Sequence, residues 1–111
     1  MRGVAVDTLV VLITASSEDE AATIGRALVE EGLAACANIV GGVRSIYRWK
    51  GEVKDDRECL MLVKTVPANF DRLEKRVREL HSYELPEVIA IPVTAGSRPY
   101  LDWVHENSRI G

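Results

Sequence analysis

Residues 8–14, TLVVLIT, form a nearly unbroken run of leucine and β-branched side chains. A strand buried on both faces, or central in its sheet, carries this pattern. The period then changes. In SSEDEAATIGRALVEEG, residues Ala21, Ile24, Gly25 and Leu28 fall on one helical face. Ser16 or Ser17 supplies the cap, and Ser17 with Glu20 matches a capping box. Asp19 and Glu20 bring negative charge to the first turn, where the helix dipole favours it. Gly32 predicts a left-handed residue that ends the helix. LAACANI (33–39) begins a second strand. Gly41-Gly42 predict a bend or bulge rather than a stop, because VRSIYRW (43–49) resumes the alternation. Lys50-Gly51 reads as a tight turn, and EVKDDRECLMLVKT (52–65) as the returning third strand, with Asp55-Asp56 as a local irregularity.

Pro67 predicts the opening of a second helix as its first residue. Phe70, Leu73, Val77 and Leu80 supply its apolar stripe, and the helix ends near His81-Ser82. Residues 88–93, VIAIPV, predict a buried fourth strand. Gly96-Ser97 break it, and Pro99 starts a short closing helix. The order is β-α-β-β-α-β plus a terminal helix. It predicts an α+β fold: a ferredoxin-like split βαβ sandwich with a four-stranded antiparallel sheet and a long central hairpin. At 111 residues the chain is read as one domain, 1–111.

The hairpin is too long for its own core. Its strands of about 13–15 residues reach roughly 45 Å. Helices of about 14 residues cover only about 21 Å. The overhang carries Val43, Ile46, Tyr47 and Trp49. Either the strands bend back over the sheet at Gly41-Gly42, or another subunit covers them, since a solitary two-stranded hairpin is marginal in water. An oligomer is the favoured expectation. With the turn at Lys50-Gly51, Cys36 is expected opposite Thr65 and Cys59 opposite Gly42. The thiols are then about 20 Å apart and unpaired, with Cys59 a small buried hydrophobe.

Charge narrows the partners. The net charge is −3 with dispersed lysines and arginines, so no basic stripe for nucleic acid is present. No apolar run approaches the roughly 20 residues of a membrane span. The N-terminal MRGVAVDTLVVLIT makes a poor signal peptide, which predicts a cytoplasmic protein. Enzyme motifs are missing from the sequence: it has no GxSxG elbow, no Walker loop and no HExxH. The strongest chemical cluster is HSYELPE (81–87). His81, Tyr83, Glu84 and Glu87 offer imidazole and carboxylate donors to a divalent cation, Cu or Zn, and a thiolate such as Cys36 favours Cu(I). The competing account is structural: His81 caps the second helix's C-terminus, Glu87 satisfies a lysine or backbone donors, and Tyr100 and Trp103 pack the last helix.

Four segments carry a resemblance: residues 28–53 (LVEEGLAACANIVGGVRSIYRWKGEV), LVKT at 62–65, HSYELPEVIAIPV at 81–93 and YLDWV at 100–104. Together they closely resemble the CutA family of divalent-cation tolerance proteins, over about residues 8–107. Ser82 stands where the family usually has proline. The resemblance implies a homotrimer with hairpins packed between subunits through Ile46, Tyr47 and Trp49. It implies a non-catalytic role in divalent metal tolerance, copper above all. It further implies an intersubunit cleft lined by Lys64, Tyr83 and Trp103, with His81, Glu87 and Cys36 as metal ligands. Two alternatives stay open: a regulator that binds a small anionic metabolite, by analogy with the trimeric nitrogen-regulatory PII proteins, and a non-catalytic scaffold. From the overhang, Trp49→Glu is expected to lower the oligomer mass measured by light scattering. An unchanged mass would mean that the hairpin is not an assembly surface.

Overall fold

The computed structural model describes residues 8–110. Residues 1–7, which carry half of the segment read against a signal peptide and the start of the domain 1–111, lie outside the described residues, as does Gly111. The elements are β1 (Leu9–Ala15), α1 (Glu18–Glu30), β2 (Cys36–Trp49), β3 (Glu52–Thr65), a 3-10 turn (Pro67–Asn69), α2 (Phe70–Leu80), β4 (Val88–Pro92) and α3 (Arg98–Glu106). All strand pairs are antiparallel in the order β2-β3-β1-β4. This is the α+β, ferredoxin-like arrangement that the sequence predicts.

β1 sits between β3 and β4, and its odd positions Val11, Ile13 and Ala15 are fully buried. They meet Ala21, Ile24 and Leu28 of α1, Leu73 and Val77 of α2, and Met61 and Val63 of β3 in one core cluster. The predicted stripes on both helices are the faces buried there. At Gly25 the helix lies so close to the sheet that an added Cβ would stand 3.1 Å from the Ala37 Cβ.

The hairpin runs 14 residues up and 14 back around Lys50-Gly51. The molecule is correspondingly elongated, 50 × 27 × 23 Å. A bulge sits where the two glycines predict it. Val40 pairs with Leu60 and Val43 with Glu58, so Gly41 and Gly42 together face Cys59. The left-handed backbone of Gly42 (φ 73°) makes that possible. The extra residue moves the register by one: Cys36 stands opposite Lys64, not Thr65. Both cysteines are free, and Cys59 is buried.

Two local expectations are corrected. Asp55-Asp56 is regular strand, paired with Ile46 and Ser45, because the bulge lies wholly on the partner strand. Arg44 holds Asp55 there through two hydrogen bonds of 2.8 and 2.6 Å. β4 is not buried: Ile89 is 53% and Ile91 49% exposed. An edge strand has a single neighbour, and an apolar run cannot distinguish a strand buried in its own chain from one left open. The outer hairpin is open as well, with Ile46 66% and Val53 65% exposed. The strands do not fold back over the sheet at Gly41-Gly42; they continue as a paired ladder to Trp49↔Glu52.

Gly32 ends α1 in left-handed backbone (φ 74°), and a Cβ there would run into the Arg109 carbonyl oxygen. Gly51 is also left-handed (φ 82°) but faces open space. Gly51→Ala is therefore expected to cost about 1–2 kcal/mol. Gly32→Ala is expected to cost about 3 kcal/mol or more, because overpacking adds to the backbone term. Urea denaturation of the two variants checks the ordering. Equal losses would show that the backbone near Arg109 yields freely.

Candidate functional site

A cleft of about 660 Å³ opens between the outer half of the hairpin and the loop 82–87 that leads into β4. Ile46, Tyr47 and Trp49 form the hairpin wall; Tyr83, Leu85 and Glu87 form the loop wall; Glu58 lies between. The loop owes its shape to two anchors. The first is His81, whose side chain is fully buried. Its Nε2–H donates to the Thr14 carbonyl (2.7 Å), and its Nδ1 accepts from the Tyr83 backbone N–H (3.0 Å). These two bonds define the neutral Nε2–H tautomer. The second anchor is Glu20. Its Oε2 accepts from the Ser82 N–H (2.7 Å), and its Oε1 accepts from the N–H (2.9 Å) and hydroxyl (2.8 Å) of Ser16. Burial opposes its charge, but the bonds from Ser16 and Ser82 outweigh that and hold its pKa at about 2. Half of the expected capping box forms: Ser17 Oγ accepts from the Glu20 N–H (3.1 Å). The Glu20 carboxylate serves the long-range loop contact instead of closing the box.

Inside the cleft, Tyr83 donates to Glu58 Oε2 (2.6 Å), and Tyr47 donates to Asp56 Oδ2 (2.6 Å). Burial, the bond to Glu58 and nearby carboxylates push the Tyr83 phenol well above its usual range. Burial and the Glu58 charge also raise the pKa of Glu87. Glu58 is only 8% exposed. Among the described residues, neither Glu58 nor Glu87 takes part in an ion pair.

The six residues expected in one cleft separate into two groups. Cys36 pairs across the ladder with Lys64, which pairs with Val10. Its Sγ shares a hydrogen bond with the Tyr100 hydroxyl (3.7 Å), and Tyr100 packs on Trp103 with ring centroids 5.6 Å apart. Lys64 Nζ donates to Asn38 Oδ1. His81, Tyr83 and Glu87 gather beyond Thr14, about 13 Å further along β1 at about 3.3 Å per residue. The ligand set His81, Glu87 and Cys36 therefore does not assemble within one chain. Among the described residues, no three His, Cys, Asp or Glu side chains are grouped to hold a metal ion. His81 is the C-cap residue of α2, its backbone N–H donating to the Val77 carbonyl (2.9 Å), while its ring turns away from the helix to the Thr14 carbonyl.

The sequence pattern does not single out Glu58 or Asn38. Glu58 had one signal: a carboxylate directly before the apolar run CLMLV. Its burial comes from the cleft, where Tyr83 of the distant loop covers it, while Cys59 beside it is buried in the core on the other face. Glu20 was legible only as a cap.

The family model for the CutA1 divalent ion tolerance protein matches residues 9–107. The chain belongs to the CutA1 divalent ion tolerance family. The divalent-cation tolerance protein CutA of Thermus thermophilus is 58% identical over 99 residues, covering 89% of this chain and 96% of that one. Its solved structure overlays with a TM-score of 0.89 over 92% of this chain and 99% of that chain, at 56% identity. Protein CutA of Mus musculus is 47% identical over 94 residues, covering 85% of this chain; the chain spans about half, 53%, of that relative. The periplasmic divalent cation tolerance protein CutA of Archaeoglobus fulgidus overlays with a TM-score of 0.88 at 36% identity, over 92% of this chain and 99% of that one. The CutA1 family is named for tolerance of divalent ions, and the chain's four-stranded sheet matches the fold of both solved relatives. No helix among the described residues is long and apolar enough to cross a membrane.

The Glu20 contacts set an acid limit. The folded pKa of about 2 lies below the ordinary 4.5, so its contribution is present above pH 4.5 and is lost as pH falls from there towards 2. Glu20→Gln is expected to lower stability at pH 7 by about 1–2 kcal/mol. It should also flatten the acid limb of the stability curve. Denaturation from pH 7 to 2 checks this. Parallel curves for the two proteins would remove Glu20 as the loop's anchor.

Proposed function

We propose that the chain is a non-catalytic, cytoplasmic protein of divalent metal tolerance, copper above all, that works as a homotrimer and holds the ion in clefts between subunits. The observation that carries this is the division of the donor residues. Cys36 with Lys64 and Trp103 stands at one end of the sheet, and Glu87 with Tyr83 and His81 at the other. A site that uses both ends takes them from two chains. The open apolar surface on the hairpin and β4, including Ile46, Val53, Ile89 and Ile91, supports such an assembly. It lies next to the cleft, so the same packing that covers it would bring a neighbour's residues to Glu87. In this site Glu87 and the neighbour's Cys36 coordinate the ion. His81 joins them only by releasing the Tyr83 amide from Nδ1. Otherwise it fixes the loop from behind. The names of the relatives support divalent cations as the ligand, and two free thiols suit a reducing compartment.

The second reading, a regulator that binds a small anionic metabolite, has Lys64 in its favour. Its ammonium stands at the Cys36 end of the sheet. The Glu58 and Glu87 side of the cleft opposes an anion, so that reading confines its ligand to the Lys64 end. The scaffold reading predicts no ligand at either end.

Calorimetric titration of chelator-stripped protein with Cu(II) and Zn(II) tests the proposal, with light scattering in the same buffer. Saturable binding at about one ion per chain is expected, weakened at least about tenfold in Glu87→Gln and in Cys36→Ser. A mass three times that of the chain is expected throughout. Binding that both variants retain, or no binding, would defeat the metal site. A monomer mass would defeat the shared cleft.

A further inference from the structure

The sheet has one face in the core and one face outside it. Val11, Ile13 and Ala15 of β1 and Cys59, Met61 and Val63 of β3 point into the core. The alternate positions share the other face. Val10, Leu12 and Thr14 of β1 pair there with Lys64, Leu62 and Leu60 of β3, and Ile91 and Ile89 of β4 pair with Val10 and Leu12. Glu58 continues the β3 series into the cleft, where Glu87 joins it. This face is therefore apolar in the middle, cationic at the Lys64 end and acidic at the Glu58 end. Its apolar part is open, with Ile89 and Ile91 both about half exposed.

Each charged end lacks a counter-charge. Lys64 is half-buried, donates to the neutral side chain of Asn38, and takes part in no ion pair among the described residues. Glu58 is buried with only the neutral Tyr83 phenol as partner. Lys54 lies on the same face of β3 but is held by Glu52. The two ends cannot satisfy each other within one chain, because Lys64 and Glu58 are six positions apart on one strand, roughly 20 Å. A charge withdrawn from water without an opposite charge is costly. A second copy laid head to tail on this face supplies what both ends lack. A like-on-like contact would instead bring lysine to lysine or carboxylate to carboxylate, which costs several kcal/mol. The two patches that touch are different, so the contact is heterologous and closes as a ring.

We propose that Lys64 of each subunit enters the cleft of the next as the counter-ion of Glu58 and Glu87, and that a metal ion taken up at Glu87 displaces it. This rests on the shared cleft of the proposed function and gives Lys64 a role in it. Cys36 is the ladder partner of Lys64, so one contact delivers both the competing ammonium and the thiolate. An ion that gains the thiolate can displace the ammonium. A hard ion such as Mg(II), which bonds to carboxylates alone, gains nothing from the thiolate. Lys64 thereby sets both the register of assembly and the choice of ion.

A charge swap tests the pair. Dissociation of the full-length oligomer on dilution is followed by light scattering for the wild type, Lys64→Glu, Glu87→Lys and the double variant, at low and high salt. Each single variant is expected to raise the dissociation constant at least about tenfold, and the double variant to return to within about threefold of the wild type. Added salt should narrow the differences. Losses in the double variant that equal the sum of the singles would overturn the ion pair. Calorimetry on Lys64→Met, which keeps the length of the side chain without its charge, reads the displacement and stands even if Lys64→Glu fails to fold. Zn(II) binding is expected to tighten at least about fivefold. Unchanged affinity would overturn the displacement. A trimer whose Zn(II) binding is lost in Glu87→Gln but unchanged in Lys64→Met would keep the metal site and remove Lys64 alone. A trimer that shows the rescue but binds no metal would support the ion pair and defeat the metal site. A monomeric wild type would overturn both.

Discussion

The structure depends on a mismatch of lengths. Two paired strands of 14 residues lie against helices of 13 and 11 residues, and a strand advances about 3.3 Å per residue where a helix advances about 1.5 Å. The helices therefore run out while the hairpin continues. The core closes over Val11, Ile13, Met61 and Val63, and the remaining ladder carries Ile46, Tyr47 and Val53 into the open. Apart from the added α3 at the Cys36 end, what distinguishes this chain from a plain split βαβ sandwich is that projection and the cleft beside it. The cleft has the projecting strands for one wall, and the exposed apolar positions sit along the same surface.

The glycine bulge is where the core half of the hairpin changes into the projecting half. Below it, β2 and β3 pair in the register that buries Met61 and Val63. Above it the phase has moved by one residue on β2 alone, so β3 keeps its alternation: Cys59 faces the core, and Glu58 lies on the other face, in the cleft beside Tyr83. The hairpin thus gives the cleft one wall and, at Glu58, its buried carboxylate. The other wall depends on His81 and Glu20, which use hydrogen bonds to hold Ser82 and Tyr83 against the ends of β1 and α1. Neither anchor presents a free atom to the cleft. Their role is positional: Tyr83 meets Glu58 only because the backbone behind it is fixed.

A charge pattern follows from this geometry. The hairpin surface outside the cleft is neutralised by local pairs, such as Arg44 with Asp55 and Lys54 with Glu52. Exposed pairs of this kind contribute little to stability, but they cancel charge. Within the cleft, Glu58 and Glu87 are left without such partners, and burial together with the Glu58 charge holds up the proton affinity of Tyr83 and Glu87. The cleft is thus a negative site in a surface that is otherwise balanced, which explains why cations, not anions, suit this end of the molecule.

Much of this is legible in the sequence. Apolar period determines the element order, the stripes Ala21-Ile24-Gly25-Leu28 and Leu73-Val77, and the excess length of the hairpin. Gly32, Gly42 and Gly51 mark the places that need left-handed backbone, because that need is local and few residues meet it. The family resemblance rests on ordered motifs and is legible for the same reason. The rest is decided by contacts between residues distant in the chain. Glu20 reads as a helix cap until Ser82 reaches it across 62 positions. His81 reads as a ligand until the Thr14 carbonyl and the Tyr83 amide take both ring nitrogens. VIAIPV reads as buried, yet only strand order shows that β4 is an edge. Local backbone preference and the in-out period are written into each segment by its own residues. The partner of a buried polar atom, and the face a strand leaves open, exist only once the segments are packed against one another.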